Sequence, residues 1–186
     1  RELEELAFPI AYPDEYARVR ELLREKEGEL NLRLKKFHKS VLKGLAREKV
    51  PMLSTEERIK GLYSLYFKLR EREWDLGKIN DVLAIRVIVK NVGDCYRALG
   101  AIHGIWRPLP GRIKDYIAFP KANGYRSLHT TVFTGDGGIV EIQIRTEEMH
   151  RESEYGVALH ADYKEQEKNA KRERKPGFFS SLISWR

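Results

Sequence analysis

The chain has 186 residues, of which 41% are hydrophobic and 34% charged, and its formal net charge is +7. This length and apolar content suffice for one globular domain, whereas no apolar run approaches the roughly 18 to 20 residues of a membrane span. The single Cys95 excludes an internal disulfide and is typical of a reducing compartment, so we expect a cytoplasmic protein without membrane association. The basic balance indicates an anionic partner, unless the cations merely cover solvated helix faces.

The first third of the chain is predicted to be helical. Residues 14–48 form one long helix or two in line, because apolar residues recur at spacings of three and four. These residues are Leu30, Leu34, Phe37, Val41 and Leu45. Ser54 and Glu57 then have the spacing of a capping box, which predicts a second helix running to about Arg72.

Strands and helices alternate in the remainder. We predict a strand at 83–90, a helix near 94–105, a short strand, a longer strand ending near Thr134, a hairpin turn at 135–138 into a further strand, and a helix from Thr146 to about Glu167. This order predicts an α+β domain with a mixed or antiparallel sheet flanked by helices.

The strand "IVEIQIRT" carries the first candidate site. Val140, Ile142 and Ile144 alternate with Glu141, Gln143 and Arg145. One face is therefore apolar and the other polar, and a hairpin partner would bring His129 or its neighbours beside the polar face. An ordinary solvated face is the competing interpretation.

Asp81 precedes the apolar strand at 83–90 and is the second candidate carboxylate. Asp81 and Glu141 together would supply the one or two protein carboxylates that a Mg²⁺ ion carrying substrate phosphates needs. Alternatively, Asp81 only caps the turn before the strand.

Basic residues supply candidate phosphate ligands. Lys60, Ser64 and Lys68 recur every four residues, which predicts one helical face able to follow a polyphosphate, with Arg58 at its start. Lysines at this spacing are also common on solvated surfaces. Arg86 lies inside an apolar strand, where a guanidinium must meet an anion or stack on a ring.

The passage "KDYIAFPKANGYRSLHTTVF" brings rings and cations together. Lys114 and Lys121 flank its first part, and Tyr125 offers a ring on which a purine can stack. These features describe a pocket for two nucleotides rather than a groove for a polymer. No zinc-ligand spacing and no Gly-rich phosphate loop is present in the sequence.

Taken in order, these stretches resemble the synthetase domain of the RelA/SpoT family from about Ser54 to Glu165. The similar segments are "RIKGLYSLYFK", "INDVLAIRVIV", "DYIAFPKANGYRSLHTTV", "VEIQIRT" and "EYGVALHADYKE", with a looser likeness at "ELEELAF". The resemblance implies a nucleotidyltransferase-like fold with an N-terminal helical extension. It also implies Mg²⁺-dependent transfer of the β,γ-diphosphate of ATP to the ribose 3′-hydroxyl of GDP or GTP in the stringent response.

The resemblance assigns roles by position. Arg58 and Arg86 would sandwich the adenine, Lys60, Ser64 and Lys68 would follow the ATP phosphates, and Asp81 and Glu141 would hold Mg²⁺. The guanosine nucleotide would bind Tyr125 by stacking, with Lys114, Lys121, Asn123 and His129 around its phosphates and ribose. Ile59, Ala161 and Asp162 depart from the usual family residues, so His160 receives no role.

The segment "RIKD" at 112–115 is similar to the form found in bifunctional members, which add a hydrolase domain before the synthetase and regulatory domains after it. We therefore expect residues 1–50 to be a helical linker, 51–167 the synthetase domain and 168–186 a basic linker, in a piece of a longer chain whose missing domains are its partners and contact the ribosome. A nucleotide-binding regulator without turnover and an RNA- or ribosome-binding module remain alternatives. GDP or GTP preference and oligomeric state are left open.

Overall fold

The computed structural model describes residues 2–79 and 82–155. Its helices are α1 (Glu2–Ala11), α2 (Pro13–Arg47), α3 (Leu62–Glu71), α4 (Val92–Ile105) and α5 (Glu147–Tyr155), and a short 3₁₀ turn covers Leu76–Lys78. Its strands are β1 (Met52–Ile59), β2 (Leu83–Val89), β3 (Lys114–Asp115), β4 (Leu128–Phe133) and β5 (Ile139–Thr146). A first compact unit ends at Met149 and a second begins at His150. None of the described helices is long and apolar enough to cross a membrane.

The strands form one five-stranded sheet in the order β1-β2-β5-β4-β3. β2 and β5 run parallel, and the other neighbouring pairs are antiparallel. The two parallel strands are joined through α4, β3 and β4, which supply the long connection that parallel pairing requires. The predicted α+β class with a mixed sheet is confirmed.

One face of the sheet is apolar and carries α2 and α4. Ile85, Val87, Ile142 and Ile144 point to this face and are fully buried, as the alternation along β2 and β5 requires. The predicted stripe on α2 packs there as well: its members Leu34, Phe37, Val41 and Leu45 are buried, with Leu30 partly buried against them. Cys95 of α4 is buried in the same core, and burial raises the pKa of its thiol to about 12.

Side-chain caps fix the start of two helices. Asn91 Oδ1 accepts a hydrogen bond from the Asp94 N–H at 2.9 Å, which begins α4. Thr146 Oγ1 accepts from the Met149 N–H at 3.2 Å, as predicted for the cap of the last helix. That helix is described to Tyr155, and its predicted continuation to Glu167 lies outside the described residues, as does the linker at 168–186.

The predicted helix starting at Ser54 is wrong. Ser54 and Glu57 lie in β1, which pairs antiparallel with β2 along its length, so their spacing does not form a capping box. Pairing with an apolar central strand outweighs the local helix signal. The following helix, α3, begins only at Leu62, and therefore Lys60 does not share a helical face with Ser64 and Lys68.

Candidate active site

The second face of the sheet is polar, and the strand register arranges its side chains in rows. Cα partners across the sheet form one row of Glu56, Arg86, Gln143, His129 and Lys114. The next row consists of Arg58, Ala84, Glu141 and Thr131. Because side chains alternate along each strand, both rows lie on the face opposite α2 and α4. The polar face predicted for β5 is thus part of a continuous polar surface.

A cleft of about 230 Å³ opens over this surface. It is lined by Lys68, Glu71, Arg72, Lys78, Ile79, Arg112, Lys114, His129, Thr131 and Glu141. Five of these residues are Lys or Arg and two carry a carboxylate. A concave surface with this excess of cations attracts anions, and several phosphates in a row would match it.

Glu141 is held in place by two neighbours. His129 Nδ1 lies 2.9 Å from Glu141 Oε1, and Gln143 Nε2 donates to the same oxygen at 2.9 Å. The Glu141 and His129 side chains are only 16% and 17% exposed, so both are fixed at the edge of solvent. An ionised carboxylate can only accept, so Nδ1 of His129 carries a proton.

Tyr125 completes a chain of hydrogen bonds that ends on Glu141. Its hydroxyl lies 2.8 Å from Nε2 of His129. In the tautomer that carries its proton on Nδ1, Nε2 of His129 accepts from the Tyr125 hydroxyl. Tyr125, His129 and Glu141 therefore form a chain of hydrogen bonds that orients the carboxylate.

Aromatic rings surround this chain. The Tyr116 ring meets His129 edge-on, with centroids 5.3 Å apart, and lies 6.1 Å from the Tyr125 ring. Lys121 Nζ lies 4.7 Å from the Tyr116 centroid and 5.3 Å from that of Tyr125. Asn123 Oδ1 accepts from the Tyr125 N–H at 3.2 Å and so shapes the turn that presents Tyr125, which leaves its side-chain N–H₂ group as the part that could contact a nucleotide.

The loop before β4 is fixed by Asp115, which accepts from the N–H groups of Ile117 and Ala118 and from the Tyr96 hydroxyl at 2.8 to 2.9 Å. Burial by itself would raise the pKa of this carboxyl, but the three hydrogen bonds outweigh it and hold the pKa below its ordinary value. Asp115 follows Lys114, and it therefore anchors the segment that carries this lysine into the cleft.

The residues predicted for ATP lie along β1, β2 and α3. Arg86 is 8% exposed and its Nη1 donates to Glu56 Oε2 at 2.6 Å, so the prediction that it meets an anion is confirmed. Arg58 is exposed on the same face, diagonally across from Arg86, at about 7 Å. Lys60 follows β1, and its backbone N–H donates to the Val82 carbonyl at 2.9 Å.

The cleft unites four predicted site residues: Lys68, Lys114, His129 and Glu141. Ser64 is half-buried on α3, one turn before Lys68, and Asp81 lies outside the described residues. Among the described residues no three His, Cys, Asp or Glu side chains form a metal-binding group. Glu141 is the predicted metal ligand that the structure describes, and its carboxylate type is one that Mg²⁺ prefers.

Sequence reasoning missed several residues of the site. Arg72, Lys78 and Arg112 line the cleft, and Tyr116 packs against His129. Tyr116 lies in the segment singled out for its rings and cations, and Arg112 begins the adjoining "RIKD" segment, so the position of these segments in the chain was a usable signal. Arg72 and Lys78 belong to the end of α3 and the turn after it, where a cation is ordinary and gives no signal.

The chain is similar to a known family, to curated proteins and to a solved structure. A family described as a region found in RelA / SpoT proteins matches residues 57–168. The GTP pyrophosphokinase of Streptomyces antibioticus is 46% identical over 165 residues, which cover 89% of this chain and 20% of that protein. The bifunctional (p)ppGpp synthase/hydrolase SpoT of Escherichia coli is 43% identical over 164 residues, which cover 88% of this chain and 23% of that protein.

A solved structure of a GTP pyrophosphokinase family protein from Streptococcus pneumoniae superposes with a TM-score of 0.54 at 25% identity, covering 78% of this chain and 77% of that one. The chain spans about a fifth of the length of the curated relatives it matches. The shared region includes β2, β4 and β5, the strands that carry Arg86, His129 and Glu141.

Proposed function

The chain belongs to the RelA/SpoT family, and on that basis we propose that it is a (p)ppGpp synthetase. In this reaction the β,γ-diphosphate of ATP passes to the 3′-hydroxyl of GDP or GTP. The bond between the α- and β-phosphates of ATP breaks, a bond from the ribose oxygen to the β-phosphorus forms, and AMP leaves. The hydroxyl proton must be taken up by a base.

The observation that carries the proposal is the position of Glu141. This carboxylate, held by His129 and Gln143, lies in a cleft whose lining contains five lysines and arginines and one other carboxylate, that of Glu71. The cations would neutralise the phosphates of two nucleotides, and the carboxylate would face the hydroxyl that attacks. Charge neutralisation and in-line positioning supply most of the rate in phosphoryl transfer.

The two nucleotides would occupy opposite ends of the polar face. Arg58 and Arg86 on β1 and β2 would contact the adenine, and Lys60, Ser64 and Lys68 would follow the ATP phosphates. The guanosine nucleotide would lie over β3 and β4, with Tyr125 stacked on the base. Lys114, Lys121, Asn123 and His129 would hold its phosphates and ribose.

Glu141 would accept the 3′-hydroxyl proton. Its hydrogen bonds to His129 and Gln143 hold the oxygen Oε1, so the carboxylate cannot rotate freely. A positioned base of this kind contributes about 10² to 10⁴-fold. The Tyr125–His129 pair would keep the base and the guanosine in register, because Tyr125 would stack on the guanine while its hydroxyl contacts His129, which in turn contacts Glu141.

We propose Mg²⁺ as the cofactor, with Glu141 and Asp81 as its protein ligands. The ion would neutralise phosphate oxygens and keep them in line with the ribose oxygen. The lysines and arginines of the cleft share this task, which is why the protein needs to contribute only two carboxylates.

Some relatives are named as pyrophosphohydrolases, so hydrolysis of guanosine 3′-diphosphates is the competing activity. Incubation with ATP, Mg²⁺ and GDP or GTP, followed by separation of the nucleotides, distinguishes the two. The proposal predicts equal amounts of AMP and of a more highly phosphorylated guanosine. ADP as the product indicates an ordinary kinase or ATPase, nucleotide binding without product indicates a regulator, and pyrophosphate released from ppGpp without ATP indicates a hydrolase.

We further propose a cytoplasmic location and a role in the stringent response, within a longer protein whose hydrolase and regulatory domains set its activity. The bifunctional relative is a protein more than four times as long as the matched segment. Contact with the ribosome would then be made by those other domains.

A further inference from the structure

Two histidines reach the sheet from behind, on the face opposite the cleft. His38 of α2 lies 2.8 Å from Glu57 Oε1 through Nδ1 and 2.7 Å from Thr55 Oγ1 through Nε2. His103 of α4 lies 2.8 Å from Thr130 Oγ1 through Nε2. The hydrogen bonds join a helix to β1 in the first case and to β4 in the second.

The partners of the two histidines stand at the ends of one row across the sheet. Cα partners give this row as Glu57, Ile85, Ile142 and Thr130. Ile85 and Ile142 are fully buried, so the middle of the row is held by packing. The two ends are polar and rely on hydrogen bonds to α2 and α4. The row is about 14 Å long, three strand spacings.

Directly beside this row, on the cleft face, lie residues of the two nucleotide sites. Arg58 follows Glu57 along β1, and His129 and Thr131 flank Thr130 along β4. Consecutive residues of a strand point to opposite faces and share one backbone. Fixing Glu57 from behind therefore fixes the direction of Arg58, and fixing Thr130 fixes His129 and Thr131.

β1 has little packing of its own to hold it in place. It lies at the edge of the described sheet, pairs with β2 alone among the named strands, and its sequence lacks an apolar alternation. The His38 side chain is 15% exposed and uses both ring nitrogens on this one strand. Because the Glu57 carboxylate only accepts, His38 carries its proton on Nδ1, and Nε2 accepts from the Thr55 hydroxyl in the neutral ring.

We infer that His38 and His103 are positioning residues with separate tasks: His38 sets the ATP end of the polar face through Glu57 and Arg58, and His103 sets the guanosine end through Thr130 and His129. The inference rests on the proposed function for the identity of the two nucleotides. Neither histidine touches a substrate, since both lie behind the sheet.

The test measures dissociation constants for ATP and for GDP separately, each with Mg²⁺, by calorimetry on the whole chain. His38→Ala and Thr55→Val are expected to raise the constant for ATP about 3- to 10-fold and to leave that for GDP unchanged, the scale of one lost hydrogen bond. His103→Ala and Thr130→Val are expected to do the reverse.

A loss of folding can be distinguished from a loss of positioning. Partial unfolding reduces the competent fraction for both ligands alike, so the ratio of the two constants does not respond to a purely structural loss. Two conservative variants test which ring nitrogen of His103 matters. His103→Gln places an amide near the position of Nε2 and is expected to bind GDP as the wild type does. His103→Asn places its amide near the position of Nδ1 and is expected to bind GDP as weakly as His103→Ala.

Equal changes in both constants, or no change in either, overturn the inference, and so does a wild-type chain that binds neither nucleotide. The transfer reaction is scored independently. A wild-type chain that binds ATP and GDP but makes no product contradicts the proposed function, and the positioning roles are then still decided by the ratios.

Discussion

His129 and Glu141 come from neighbouring antiparallel strands and meet through Nδ1 and Oε1 at 2.9 Å, although they are not Cα partners. His129 is opposite Gln143, and Glu141 is opposite Thr131, so the contact runs diagonally across the β4–β5 pair. Diagonal contact is within reach of long side chains. It joins the histidine proposed to contact the guanosine nucleotide to the carboxylate proposed as the base.

Glu141→Gln keeps the size of the side chain and removes its charge. We expect the rate of diphosphate transfer to fall by about 10² to 10⁴-fold, because both base assistance and a metal ligand are lost. Steady-state kinetics with ATP and GDP measure this. The control for net charge adds Gln143→Glu to the Glu141→Gln variant, which restores a carboxylate at the next position on the same face. This double variant is not expected to recover the rate of diphosphate transfer. A variant close to wild-type rate would remove Glu141 from the mechanism.

Asp81→Asn tests the proposed second ligand for Mg²⁺. Loss of one of two carboxylates should move the half-maximal Mg²⁺ concentration upward and lower the rate at saturation. The rate is measured against Mg²⁺ concentration at constant ATP. Asp75→Asn, which removes the carboxylate that caps the nearby 3₁₀ turn through the Gly77 N–H, is the matched control. The same Mg²⁺ dependence in the wild-type and Asp81→Asn proteins would show that Asp81 holds no metal.

Tyr125→Ala removes the ring proposed to stack on guanine. Stacking on an aromatic side chain contributes about 1 to 3 kcal/mol, so the KM for the guanosine nucleotide should rise about 10- to 100-fold while that for ATP changes little. Tyr125→Phe keeps the ring but loses the hydroxyl that contacts His129, and its KM should stay within about threefold of wild type. A larger effect of Tyr125→Ala on the KM for ATP would mean that the assignments of the ATP and guanosine sites are reversed.

Asp115→Asn tests the anchor of the Lys114 segment through its pH dependence. The folded pKa of Asp115 is lowered, so its contribution to stability is present above the ordinary pKa near 3.8 and is lost as the pH falls through the folded value. The free energy of unfolding of the wild type should therefore drop more steeply below about pH 4 than that of the variant. Urea unfolding across this pH range measures both slopes, and equal slopes would contradict the assigned hydrogen bonds.

The buried elements were predictable because their pattern is dictated by burial itself. The apolar run of β2, the alternation of β5 and the stripe of α2 each match one period of secondary structure, and all three occupy the expected faces. The hairpin joining β4 to β5 was likewise predictable from Gly135 and Gly137, whose φ angles of +86° and +83° suit glycine.

β1 could not be predicted because its strand state comes from tertiary contacts. Its Ser, Thr and Glu residues read locally as a helix start, yet they pair with β2 and are held by His38. Arg145 shows that alternation predicts the face of a residue but not its burial. The alternation of β5 put Arg145 on the polar face, yet it is only 1% exposed. The parallel pairing of β2 and β5 also depends on the path of the intervening chain, which the period of neither strand reveals.

In the site, the residue types indicated the kind of chemistry, whereas most contacts between individual side chains could not be predicted. The sequence indicated that a hairpin would bring His129 or its neighbours beside the polar face of β5, and in the structure His129 contacts Glu141 on that face. It did not indicate that Asn123 would bond to the Tyr125 backbone or that Tyr116 would pack on His129, since both depend on the shape of the loop.

The proposal that the chain moves an intact diphosphate is tested most directly with ATP labelled at the β-phosphorus. Incubated with GDP and Mg²⁺, the wild-type chain should pass the label to a guanosine product and leave unlabelled AMP in equal amount, and Glu141→Gln should form this product far more slowly. Label retained in ADP, or no labelled guanosine at all, would contradict the account.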